Sequence, residues 1–150
     1  MTLRQYTYFA MFSYHVSAAE MTSQLDITPD EVSVRGSRHT DPPVPVNHVW
    51  QIACRDPGLR VDEQIAQILN RLQPHTDRIS EVVSRLANHG GGAVLQVVRY
   101  FNDINPDQLP SDAPNLFGWH LDRNVLDFLT ATGAELDIDE YDMTPGEDAG

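Results

Sequence analysis

The sequence predicts an α+β domain: a mainly antiparallel sheet of four to six strands with helices packed on one face. Two observations carry this. The run from Trp119 to Tyr141 reads as a strand end, an N-capped helix, a glycine stop and an alternating acidic strand. Further upstream, strand-like and helix-like periods are interleaved, with few of the long crossovers a parallel sheet requires. The two halves each read strand, capped helix, strand, a hint of a ferredoxin-like pseudo-repeat.

Residues 5–15 alternate aromatic and smaller groups, the period of a strand. Ser17-Ala-Ala-Glu20 is a capping box opening a short helix with Ala18, Met21 and Leu25 inward. Thr28-Pro29 disfavours helical backbone, so that helix ends near Asp26. Glu31–Arg35 reads as a short strand closed by Gly36, and residues 37–47, with Pro42, Pro43 and Pro45, as a loop. Val49–Cys54 is a strand with Trp50, Ile52 and Cys54 on the core face. Asp56-Pro57-Gly58 turns the chain into Val61–Leu72, where apolar residues 61, 65, 68, 69 and 72 keep helical spacing. Pro74 stops that helix and opens the next, whose stripe is Ile79, Val82, Val83 and Leu86. Asn88-His89-Gly90 ends it.

Ala93–Phe101 is apolar at nearly every position and reads as an inner strand. Residues 102–118, with Pro106, Pro110 and Pro114, form a long loop. Phe117–Leu121 reads as a short strand. Asp122 then caps a helix with Val125, Leu126 and Leu129 inward, and Gly133 ends it. In the last strand Ala134, Leu136 and Ile138 face in, while Glu135, Asp137 and Asp139 face out. The reading is one domain over residues 1–142 and a disordered acidic tail over 143–150.

Composition narrows the function classes. The chain has 150 residues, a net charge of −12, and only arginine among its ten Lys/Arg positions. That charge repels phosphate backbones, so nucleic acid is not expected as a partner. It suits a basic protein partner or plain solubility. The single cysteine, Cys54, leaves no internal disulfide and no cysteine-based zinc site, and it fits the cytoplasm. The apolar start reads as a strand rather than a signal peptide. Nothing approaches the roughly 20 apolar residues of a membrane span.

Leu25-Asp-Ile-Thr-Pro29 after a short capped helix, then Gly36, then His48-Val-Trp50, together with a closing strand–helix–strand run ending in Asp139-Glu140-Tyr141, resembles a bacterial family known as domain of unknown function 4279. The resemblance spans about residues 6–142. It implies a small bacterial cytosolic domain and carries over no catalytic residues. Asp26 departs from it, standing where that family commonly has glycine.

No catalytic pattern is present: no HExxH, no G-x-S-x-G around Ser13, Ser17 or Ser84, and no helix following Gly90-Gly91-Gly92 to cradle a phosphate. No metal or cofactor is expected. The leading reading is a non-enzymatic interaction module, such as an immunity-type protein, that holds a basic partner on Glu135, Asp137 and Asp139. The alternative is a small-molecule pocket under the 102–118 loop, lined by Arg99, Trp119 and His120. An acid–base site joining His120 to Asp137 or Asp139 requires residues from separate elements to converge, as does a meeting of His48 with His120. An exposed outer strand also offers a surface for a homodimer.

Overall fold

The computed structural model describes residues 2–103 and 116–146. Most of the expected 102–118 loop and the last four residues of the expected tail lie outside the described residues.

Among the described residues, seven strands and four α-helices follow in the order β1 (Leu3–Ser13), α1 (Ala18–Leu25), β2 (Glu31–Ser33), β3 (His39–Thr40), β4 (Pro43–Val44), β5 (His48–Cys54), α2 (Val61–Leu72), α3 (Thr76–Ala87), β6 (Gly92–Phe101), α4 (Arg123–Thr132) and β7 (Glu135–Asp142). A 3₁₀ turn, Gln73–His75, links α2 to α3 through Pro74. The main sheet has the order β2-β5-β1-β6-β7. Pairings β2–β5, β5–β1 and β1–β6 are antiparallel, and β6–β7 is parallel. The expected α+β class and mainly antiparallel sheet are what the chain adopts.

The spatial order β2-β5-β1-β6, with helices after β1 and β5, is the split βαβ arrangement of ferredoxin-like domains. The equivalent halves are therefore β1-α1-β2 and β5-α2-α3-β6. The closing α4–β7 unit is an extension rather than half of the repeat. Because α4 carries the chain back to the starting end of β6, β7 runs parallel to β6, where a hairpin would have made it antiparallel.

All four helices lie on one face. Phe9 and Met11 of β1, Trp50, Ile52 and Cys54 of β5, and Ala93, Leu95 and Val97 of β6 point toward them. They meet Met21 and Leu25 of α1, Ile65, Ile68, Leu69 and Leu72 of α2, Ile79, Val82, Val83 and Leu86 of α3, and Phe128 of α4. Burying a side chain of this size stabilises by about 1.5–3 kcal/mol, so this face holds the domain together.

Local devices match the sequence. Ser17 Oγ accepts the Glu20 amide at 3.2 Å, half of the expected capping box, and Asp122 Oδ1 accepts the Val125 amide at 3.0 Å. Asp26 takes φ +57°, a backbone that glycine adopts most easily. Gly91 packs so closely on β1 that an added Cβ would stand 2.4 Å from Phe12 O. Gly91, the middle of the triplet, thus marks a close approach between the end of α3 and the sheet.

Several expectations are corrected. Residues 37–47 contain a small ribbon, β3 against β4, with His39 opposite Val44. Phe117–Leu121 forms no strand; Leu116 is buried, and Trp119 and Leu121 pack partly against the core instead. In α4, Phe128 is inward and Leu126 is exposed, because α4 packs mainly against α3 and buries only the narrow stripe 125, 128, 129 and 132. Ile138 has the expected parity but is 40% exposed, since β7 is the last strand of the sheet. Met143 N donates to Phe101 O at 2.7 Å, just after the end of β7.

Candidate functional site

Among the described residues, no helix covers the second face of the sheet. Side chains alternate along a strand, so the register that sends Phe9, Leu95 and Leu136 to the helices sends Tyr8, Gln96 and Asp137 the other way. Three rows cross this open face. Ala10, Val94 and Glu135 form one; Tyr8, Gln96 and Asp137 the next; Tyr6, Val98 and Asp139 the third. Arg4, Tyr100 and Tyr141 extend it toward the end of β7.

Aromatic rings floor this surface. Tyr6 stacks on Tyr8 with centroids 6.1 Å apart, and Tyr100 on Tyr141 at 5.2 Å. Arg55 lies 4.3 Å over Tyr6 and Arg4 lies 3.9 Å over Tyr100. Both cations also hold carboxylates: Arg55 reaches Glu31 at 3.2 Å and Arg4 reaches Asp103 at 2.9 Å. Burial raises the Tyr8 pKa above the usual tyrosine value, the neighbouring Tyr6 adds to this, and Asp139 and Asp137 add more, against the opposing pull of Arg55. Burial also raises the Tyr6 pKa, helped by Tyr100 and opposed by Arg55.

The β7 side of the face is acidic. Glu135 and Asp137 are exposed, and Asp139 is half-buried, accepting from Gln96 Nε2 at 3.2 Å. Among the described residues, no Arg or His side chain forms an ion pair with any of these three carboxylates. The three proposed partner-binding residues therefore share one exposed edge of the open face, as their alternation implies.

The proposed pocket residues Arg99, Trp119 and His120 each have their own surroundings. Arg99 faces the helices and is only 6% exposed. Its Nε donates to Gln5 Oε1 at 3.1 Å, Nη1 to Glu140 Oε2 at 3.2 Å and Nη2 to Phe117 O at 2.9 Å. Burial lowers its pKa and Glu140 opposes that. Trp119 is partly buried against the core. His120 is exposed and lies in a groove of about 310 Å3 between α2 and the start of α4. There its Nδ1 is 3.1 Å from Asp62 Oδ2, which also receives Arg60 Nη2 at 2.9 Å. Glu63, Asn70, Gln73 and Asn124 add polar groups to the lining and Ala66, Leu69 and Val125 apolar ones, with Gln73 Nε2 donating to Asn124 Oδ1 at 2.7 Å.

His120 thus sits on the helix side, and Asp137 and Asp139 on the open side, with the sheet between them. His48 Nδ1 accepts the Arg35 amide at 3.1 Å at the start of β5, whereas Asp62, the partner of His120, lies in the first turn of α2, beyond the end of that strand. Neither convergence of histidine with its suggested partner occurs. Among the described residues no group of three or more His, Cys, Asp or Glu side chains is placed to hold a metal ion. No helix among them is long and apolar enough to cross a membrane.

Sequence reasoning missed a buried polar chain beneath α2. Thr7 Oγ1 donates to Gln64 Oε1 at 2.9 Å, and Gln64 Nε2 donates to Gln5 O and Asp56 O. Gln5 Nε2 reaches Leu59 O at 3.1 Å, and its Oε1 receives Arg99. The available signal was Gln64 itself, which stands three residues after Val61 on the buried stripe of α2. Since every one of these polar groups finds a partner, the chain reads as structural.

A family model described as domain of unknown function (DUF4279) matches residues 3–143. No curated protein and no solved structure matches this chain.

Proposed function

The chain belongs to the family described as domain of unknown function (DUF4279), and we propose that it is a non-enzymatic interaction module whose acidic open sheet face holds a basic protein. The observation that carries this reading is the set Glu135, Asp137 and Asp139: three carboxylates on one exposed sheet edge, beside a tyrosine floor, with no cation paired to them among the described residues. An Arg or Lys arriving there gains an ion pair and, from Tyr8 or Tyr141, a ring face. The net charge of −12 attracts such a partner over a longer range. The free Cys54 suits a reducing cytoplasm, where we place the protein.

The test is capture by the tagged chain from its native host, with native mass spectrometry of the eluate. The wild type is compared with a Glu135→Arg, Asp137→Arg, Asp139→Arg triple variant. A stoichiometric basic protein held by the wild type and lost by the variant supports the reading. Equal capture by both, or capture of acidic proteins only, contradicts it.

A second reading rests on the groove at Arg60, Asp62 and His120, whose size and mixed polar and apolar lining suit a small molecule. A thermal-shift screen tests it: stabilisation that His120→Ala abolishes would favour this groove over the open face.

A further inference from the structure

We propose that the basic partner is taken as an added β-strand along the outer edge of β7; this rests on the interaction reading above and gives it a recognition mode. β7 is the terminal strand of the five-stranded sheet, eight residues long, whereas the opposite edge, β2, has three. Among the described residues no strand pairs with the outer side of β7. A strand of that length with one side free presents a row of backbone N–H and C=O groups, which is a template for another chain.

The side chains of β7 define what fits. A strand laid beside it continues the same rows on both faces. On the open face its residues would stand next to Glu135, Asp137 and Asp139. On the helix face they would stand next to Leu136 and Ile138, and Ile138 is 40% exposed at this edge. The complementary segment therefore alternates Arg or Lys with Val or Ile. One set meets the carboxylates and the other covers the exposed isoleucine.

The same rows oppose the obvious competitor, a second copy of this chain. Antiparallel pairing of β7 with its own copy keeps the open faces on one side, which brings the two acidic rows together. Like charges directly opposite are destabilising. The sequence ELDIDEYD, which contains no basic residue, thus discourages self-pairing while leaving the edge open to a strand of opposite charge.

The probe is a peptide of alternating Arg and Val long enough to span β7, titrated at low salt by calorimetry. Two isomers carry N-methyl groups on alternate amides, one on the Arg positions and one on the Val positions. All three peptides have the same charge. Strand addition predicts that the unmodified peptide binds, that one isomer loses affinity by about tenfold or more, and that the other loses little, since only alternate amides face the edge. Equal binding of all three overturns strand addition but leaves a charge-based partner face standing. No binding of the unmodified peptide also overturns it; the capture experiment then decides separately whether the interaction reading survives. A concentration-dependent dimer abolished by Ile138→Arg would assign the edge to self-association and overturn the inference.

Discussion

Replacing Gly91 by alanine places a methyl group 2.4 Å from Phe12 O, 3.2 Å from Leu86 O and 3.3 Å from Leu86 Cβ. Two of these atoms are backbone, so rotamer changes cannot relieve the contact. Either β1 or the turn after α3 must retreat by roughly 0.6 Å to restore even a 3.0 Å approach. Phe12 is paired with Gly92 in the β1–β6 ladder, so the retreat strains the end of the sheet's central pairing. Overpacking a well-packed site costs about 1–3 kcal/mol, and a clash against backbone belongs at the top of that range, about 3 kcal/mol. For a chain of this size that is a fall of about 6–12 °C in Tm. Gly90→Ala is the matched control. Gly90 has φ +78° and nothing within 4 Å of an added Cβ, so only backbone strain of about 1 kcal/mol is expected. Urea unfolding followed by tryptophan fluorescence reads both, because Trp50 is fully buried. A Gly91→Ala loss under about 1 kcal/mol, or one smaller than that of Gly90→Ala, would refute the packing argument.

Arg99→Met strips donors from Gln5 Oε1 and Phe117 O and should cost about 2–3 kcal/mol, more than Glu140→Gln, whose side chain is half exposed; equal losses in urea unfolding would contradict the assignment of Arg99 to the buried chain. Because Asp139 and Asp137 both raise the Tyr8 pKa, the Asp137→Asn, Asp139→Asn double variant should lower it, read by NMR titration of the ring; an unchanged value would place the carboxylates farther from Tyr8. Burial would raise the Asp30 pKa, but the Arg71 hydrogen bond, the Ala53 amide and the Arg71 charge outweigh it and lower it. Its contribution to stability is therefore present above the unfolded pKa near 4 and is lost as pH falls through the folded value, so Asp30→Asn should flatten the acid limb of stability against pH; an unaltered limb would refute this. Asp26→Gly relieves a left-handed residue and should stabilise by about 0.5–1 kcal/mol, and any loss in thermal unfolding would count against the capping geometry.

The helices were legible because their stripes are dense: α2 and α3 bury nearly the residues that their spacing marks. Caps at Ser17 and Asp122 were legible because short polar side chains bond locally. Ile138 shows where such reading stops. Strand parity gives a side chain's face, but only strand order gives its burial, and strand order depends on pairings distant in sequence. The ribbon β3–β4 escaped because two-residue strands are too short for a period to register. The acidic edge at Glu135, Asp137 and Asp139 was legible from alternation alone, since all three depend on one strand's parity. The proposed grouping of Arg99, Trp119 and His120 depends on how β6 meets the stretch before α4, and local pattern holds no information on that. Arg99, in an apolar run, signalled a buried cation that needs partners, and those turned out to be Gln5, Glu140 and Phe117 O.

The most direct measurement is an NMR titration of the isotope-labelled chain with the unmodified Arg–Val peptide. Strand addition at β7 predicts that amide shifts concentrate in β7, from Glu135 to Asp142, and in the adjacent open-face positions Gln96, Val98 and Tyr100. Shifts confined to Arg60, Asp62, Asn124 and His120, or an unperturbed β7 at saturating peptide, would contradict it.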